Sequence, residues 1–165
     1  MKNTLLILLL AGVAACDSAT EAEIRDGASD FPVRANWSAA AAPVGNSTVQ
    51  ATVDITEHVG SRFDVTVALT GGAPTTAYQW RIFRGDCSVN TPAQSTYSPH
   101  GLLIVGTIQS YPDITTGANG TGTVTRTVAS ALDSLTAYSL RVRLGQTQTS
   151  WNGTNPIACG NLQRS

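Results

Sequence analysis

Three cysteines, two histidines and a set of strand-borne arginines are the side chains of this 165-residue chain that could react, ligate or bind an anion. Cys16 closes the run Val13-Ala14-Ala15-Cys16, which follows Lys2 and the apolar stretch Leu5-Leu6-Ile7-Leu8-Leu9-Leu10. A charged start, a short apolar run and small residues ending in cysteine make a bacterial lipobox, in which the thiol is acylated and cleavage makes that cysteine the new amino terminus. The apolar stretch is a signal-peptide h-region, too short to span a bilayer as a mature helix. An A-x-A signal peptidase site beside a chance cysteine is the alternative; all three parts falling in register favours the lipobox. Each buried methylene contributes about 0.8 kcal/mol and one acyl chain holds a protein only marginally, so the several palmitate-type chains of a lipoprotein give stable anchoring. Membrane lipid is therefore the partner expected through Cys16. The expected location is the cell envelope, on the periplasmic side of the inner membrane or at the outer membrane.

Assigning Cys16 to lipid leaves Cys87 and Cys159 as a pair, and in an exported chain such a pair is expected as a disulfide. His58 and His100 both sit beside turn residues and are expected as solvated loop histidines. No Gly-x-Ser-x-Gly, His-Glu-x-x-His, phosphate loop or dinucleotide fingerprint occurs, so the sequence offers no catalytic residues and no cofactor. Arg84-Gly85-Asp86 matches an adhesion tripeptide, a three-residue match that arises by chance. The sequons at Asn36, Asn46, Asn119 and Asn152 matter only on a eukaryotic secretory route; Asn119-Gly120 and Asn152-Gly153 read better as hairpin turns, since both residue types tolerate positive φ.

The elements that must carry these residues are strands. Residues 1–15 form the signal peptide, and 16–32 are small, acidic and aperiodic, a tether. Residues 33–165 form one domain, since a second would not fit. Val49, Ala51, Val53 and Ile55 alternate with polar neighbours, as do Phe63, Val65, Val67 and Leu69, with His58-Val59-Gly60-Ser61 as the hairpin connection. Further strands are expected near Arg34 to Ala42 and at Tyr78 to Arg84, Leu102 to Ile108, Gly122 to Ala129, Tyr138 to Leu144 and Ile157 to Leu162. With no helical period after the signal peptide, the fold class is all-β: an antiparallel Greek-key β-sandwich or barrel of about eight strands. Removing residues 1–15 takes the only lysine and leaves nine arginines against eleven acidic residues, which argues against nucleic-acid binding.

The run Trp80-Arg81-Ile82-Phe83-Arg84-Gly85-Asp86-Cys87 is followed by Gly106-Thr107-Ile108 with Tyr111-Pro112, then by Gly117-Ala118-Asn119-Gly120. Ala158-Cys159-Gly160-Asn161-Leu162 closes the series. Together these segments resemble the copper/zinc superoxide dismutase fold over about residues 33 to 162. The resemblance implies an eight-stranded Greek-key barrel whose Gly-x-Cys loop is bonded to the Cys of a terminal Ala-Cys-Gly, here Cys87 to Cys159. It also implies copper held by a His-x-His pair and further histidines. Those positions read Arg81 and Phe83, or in the shifted register Trp80 and Ile82, with Arg143 at the late ligand. Thr107 stands at the zinc aspartate and Pro156 at the guiding arginine. Such a two-metal site takes about six histidines, because copper and zinc both favour imidazole. With only His58 and His100 in the chain, no copper and zinc ligand set is expected, the alternative being a weak two-histidine site completed by a carboxylate.

Alternation sends Tyr78, Trp80 and Ile82 to the core and turns Arg81 and Phe83 outward, with Arg141 and Arg143 facing the same way from β-neighbours Leu140 and Val142. Arg81, Phe83 and Arg143 thereby become a candidate anion-binding or carboxylate-binding face, since guanidinium pairs with such groups in fork geometry. The plainer expectation is a solvated polar sheet face. The sequence thus points to a non-catalytic lipoprotein domain that binds an unidentified protein or small molecule, or serves as an envelope component. The rival readings are a dismutase with altered ligands and an immunoglobulin-like binding module, for which Leu135-Thr136-Ala137-Tyr138 would be the tyrosine corner. Cys16→Ser should abolish incorporation of labelled palmitate and move the protein from the membrane to the soluble fraction; a variant that still takes the label sinks the lipidation assignment.

Overall fold

The computed structural model describes residues 31–88, 104–145 and 155–165. The signal peptide, Cys16, the tether to residue 30, His100 and Asn152-Gly153 lie outside them. Among the described residues nine strands follow one another: β1 Val33–Pro43, β2 Gln50–His58, β3 Arg62–Thr70, β4 Ala77–Arg84, β5 Ile114–Thr115, β6 Gly122–Val128, β7 Tyr138–Leu144, β8 Ala158–Asn161 and β9 Gln163–Arg164. Among the described residues there is no α-helix.

All pairings are antiparallel, in the order β5-β4-β7-β8-β1-β2-β3-β6, with β9 added to β1. The two ends of that order come together, because the loop from β5 into β6 is tight. Gly117 N–H bonds the Thr121 carbonyl at 2.8 Å, and a Cβ on Gly122 would lie 2.6 Å from Ile114. The sheet is thereby nearly closed into a barrel. β4, β5 and β6 succeed one another and β7 returns beside β4, which is a Greek-key connection. An immunoglobulin-type sandwich sends its second and third strands to different sheets; here β1, β2 and β3 are neighbours in one sheet.

The alternating apolar residues face the interior. Ala51, Val53 and Ile55 from β2, Phe63, Val65, Val67 and Leu69 from β3, and Trp80, Ile82, Leu140 and Val142 from β4 and β7 belong to one core. Each such aliphatic or phenyl side chain contributes about 1.5–3 kcal/mol by leaving water. Two edge-to-face aromatic pairs sit in this core, Trp37 on Tyr138 with centroids 5.9 Å apart and Trp80 on Tyr111 at 4.9 Å. Trp80 satisfies its indole N–H by donating to the Pro112 carbonyl at 2.8 Å.

Several expected boundaries shift. The described part of Leu102 to Ile108 is no strand: Ile104 makes a single bridge to Phe83, and a 3-10 turn follows at Ile108–Ser110. The pairing on that edge of β4 is supplied instead by β5, which was not expected because two residues have no period. The last strand breaks at Leu162, whose N–H bonds the Tyr138 carbonyl while Gln163 and Arg164 cross to pair with Ser38 and Trp37. At Asn119-Gly120 only the glycine takes positive φ; Asn119 instead accepts from the Thr121 N–H through its side chain.

Cys87 and Cys159 are bonded, with Cα atoms 5.9 Å apart across 72 positions of sequence. Closing a loop of that length contributes about 4 kcal/mol in the chain-entropy model. Replacing both cysteines by serine should lower the unfolding free energy in urea by about that amount; an unchanged midpoint would remove the bond from the account of stability.

Candidate functional site

β4 and β7 run side by side with Gln79 opposite Arg143, Arg81 opposite Arg141 and Phe83 opposite Ser139. All six point away from the barrel interior, as strand alternation requires. The face they form is not solvated, however. Gln79 and Arg81 are 2% exposed, and Phe83, Ser139 and Arg141 are fully buried; only Arg143 is half-buried. The expectation of an open polar face is thus corrected. Alternation decides the side of the sheet a residue takes but not whether that side is covered, and the Gly85-Asp86-Cys87 loop lies against this side at Arg141. Ile104 bridges Phe83, Val105 N–H bonds the Ile82 carbonyl at 2.9 Å, and Asp86 lies against Arg141.

Arg141 and Arg143 are held by named acceptors. Arg141 donates from Nη2 to the Asp86 carbonyl at 2.7 Å and from Nε to Ser139 Oγ at 3.2 Å, with its guanidinium 6.0 Å from the Phe83 ring centre. That makes Arg141 a tie for the Gly85-Asp86-Cys87 loop rather than a ligand-facing group. The same loop is held by Gly85 N–H on the Ala137 carbonyl, Cys87 N–H on Asn161 Oδ1 and Ser88 N–H on Asp86 Oδ1. Arg143 donates from Nε to Gln79 Oε1 at 2.7 Å. Burial lowers the pKa of Arg81, and the neighbouring Arg143 lowers it further while Asp113 and then Tyr111 oppose. Burial also lowers those of Arg141 and Arg143, opposed by Asp86 and Asp113 respectively.

Sequence alternation missed two members of this cluster. Gln79 stands two residues before Arg81 and was legible from that spacing alone. Asp113 was not, because it precedes the two-residue β5. One step beyond the pair Tyr78 and Ile114, the register sets Asp113 beside Gln79. Asp113 Oδ1 and Gln79 Nε2 are both buried and neither has a hydrogen-bond partner.

These side chains do not suit the copper and zinc that the resemblance implies. Guanidinium and amide nitrogens are donors that repel a cation, and among the described residues no three of His, Cys, Asp and Glu group as metal ligands. His58 is not the solvated loop residue expected. β2 runs on to pair His58 with Arg62, leaving only Val59, Gly60 and Ser61 in the turn. The ring is 5% exposed, with Nδ1 3.0 Å from the Phe31 carbonyl and Nε2 2.9 Å from Asp64 Oδ2. Arg62 stacks over Phe31 at 4.1 Å, and the Val59 N–H bonds the Pro32 carbonyl. The residues expected as the end of the tether are therefore docked on the first hairpin.

A second buried acid went unnoticed in the sequence. Glu57 is 1% exposed and accepts from the Leu132 N–H at 3.1 Å, from Trp37 Nε1 at 3.4 Å and from Arg34 at 3.4 Å. All its partners are structural, and it ties β1 and the segment before β7 to β2. Tyr138 accepts from the Asp133 N–H at 2.7 Å, and Tyr78 repeats the device with Ala73 at 2.7 Å, so a tyrosine corner introduces both β7 and β4.

No protein-family model matches the chain, and no curated protein matches it.

Tyr111 adjoins this cluster, donating its hydroxyl to the Val105 carbonyl. Burial pushes its pKa well above the ordinary value, against smaller opposing effects of the Ile82 backbone and Arg81. A phenol raised on folding stabilises fully below the unfolded value of about 10, and that contribution is lost as pH climbs past it. Urea midpoints should therefore fall between about pH 9 and pH 11, less steeply in Tyr111→Phe; parallel slopes in the two proteins would contradict this.

Proposed function

We propose that this chain is a membrane-anchored extracytoplasmic lipoprotein whose barrel, similar to copper/zinc superoxide dismutase, works by binding rather than by catalysis. The observation that carries the reading is the replacement of a metal-ligating face by a donor face. Where the resembling enzymes set imidazoles outside β4 and β7, this chain buries Gln79, Arg81 and Arg141 and half-buries Arg143. Imidazole offers a lone pair to a metal, whereas a guanidinium offers only N–H groups and positive charge. The chemistry available on that face is recognition of an acceptor-rich or anionic group.

The antiparallel Greek-key barrel and the Cys87 to Cys159 bond support the resemblance. The lipobox supports placement at the envelope membrane, and a disulfide is at home in that oxidising compartment. A domain held at a membrane surface and lacking a reactive centre serves through what it contacts there. Purified protein should hold no stoichiometric copper or zinc by elemental analysis and should show no dismutase activity after incubation with both metals. Copper at one equivalent together with activity would replace this reading by that of an enzyme with rebuilt ligands.

A further inference from the structure

The two ends of the barrel differ in what they expose. Phe31 and Pro32 lead into β1 at one end, where β2 and β6 finish and β3 starts, since Val33 pairs with His58, His58 with Arg62 and Phe63 with Val128. β4 finishes and β7 starts at this same end, with Arg84 opposite Tyr138 and the segment before β7 bonded to Glu57 through the Leu132 N–H. Among the described residues the large apolar side chains left exposed are Phe31, Val33, Val59, Leu135 and Leu144. Only Leu144, which pairs with Tyr78, lies away from the entry end. The connections at the opposite end, 44–49, 71–76 and 116–121, are built from Gly, Ala, Pro, Asn, Ser and Thr apart from Val44 and Val49.

The exposed apolar residues are held out rather than left loose. Leu135, 95% exposed, tips a turn fastened by Asp133, whose Oδ1 accepts from the Leu135 N–H at 2.9 Å and Oδ2 from Thr136 Oγ1 at 3.1 Å. Phe31 lies beneath the Arg62 guanidinium with its carbonyl against His58, and the Val59 N–H holds Pro32. A side chain already ordered in this way loses little further freedom when something covers it.

The course of the chain indicates what that is. Fourteen residues, 17–30, separate Cys16 from Phe31, and such a stretch spans at most about 50 Å. A bilayer holding Cys16 therefore stays within that distance of the entry end. The apolar side chains come from separate segments, with Arg34 and Arg84 among them, both near enough to act on Asp133. Separate anchors suit a fluid interface, into which each can dip while arginines remain at headgroup level. A protein partner requires one continuous, closely packed patch instead.

We infer that Phe31, Val33, Val59 and Leu135 form a face by which the entry end of the barrel docks onto the lipid surface that holds Cys16. The inference rests on the lipoprotein reading above and adds how the domain sits on its membrane. The strands then stand away from the bilayer, with the 71–76 and 116–121 turns at the far end.

The test uses the acylated protein in vesicles of phosphatidylethanolamine and phosphatidylglycerol, with and without bromine, a tryptophan quencher, on the lipid chains. Leu135→Trp places a reporter on the face, and Asn46→Trp places an equally apolar one on an exposed turn at the opposite end. The emission added by Leu135→Trp should be largely lost in brominated vesicles, and that added by Asn46→Trp should persist. Val59→Asp in the Leu135→Trp protein should restore most of the lost emission, with near-ultraviolet circular dichroism and thermal midpoints showing that each variant folds. Equal quenching at the two ends, or no effect of Val59→Asp in a folded protein, would overturn the face. So would a blue shift of the Leu135→Trp emission that follows protein concentration without bromine quenching, which marks a contact between copies. The two reporters alone decide the question where Val59→Asp misfolds. Protein that floats with vesicles while Leu135→Trp stays unquenched removes this face alone; protein that takes no acyl label and does not float removes the lipoprotein reading and the face with it.

Discussion

A guanidinium keeps its charge at any pH a cell meets, so burying one obliges the surrounding structure to bring acceptors to it. The outer side of β4 and β7 buries Arg81 and Arg141 and half-buries Arg143, and much of the fold outside the core is organised around that obligation. Arg81 and Arg141 are direct cross-strand partners, a placement in which like charges repel. The conflict is relieved by turning them to different acceptors. Arg141 goes to the Asp86 carbonyl and Ser139, while Arg81 lies in the field of Asp113.

The disulfide and Arg141 act on the same short loop from two directions. Cys87 is bonded to β8 through Cys159, its N–H is held by Asn161 two residues on, and the Asp86 carbonyl is held by β7 through Arg141. β8 is itself the element that joins β7 to β1 and so links the two sides of the barrel. The loop therefore fastens to the strand on which the order of the whole sheet turns. Gly160 makes that join close, since a Cβ there would lie 2.5 Å from the Ala40 carbonyl oxygen.

The sequence made the long strands legible because period two is a local property that a half-buried sheet imposes directly. Val53, Val65, Trp80 and Leu140 all lie where alternation puts them. What it could not convey was the second layer. Arg81 and Phe83 look solvated in the sequence because a period of two assigns a side of the sheet and carries no sign of whether that side is buried. The same reason hid Asp113 and Glu57, whose roles are set by neighbours across strands. His58 was misread by proximity to Gly60, although the ladder carries pairing through His58 before the turn begins.

The incompletely paired seam between β5 and β6 has a bearing on how the sheet meets other chains. An open sheet edge is a template onto which another chain can add a strand. Here β5 offers only two residues, too few to nucleate an added strand. The facing edge of β6 is flanked by β5 at its Gly122 end and approached by Gly106 at its Val128 end, and it carries Arg126 and three threonines. The near-closure of the barrel thus leaves little open edge for another chain to extend, and it resides in a two-residue strand pinned to the core by Ile114.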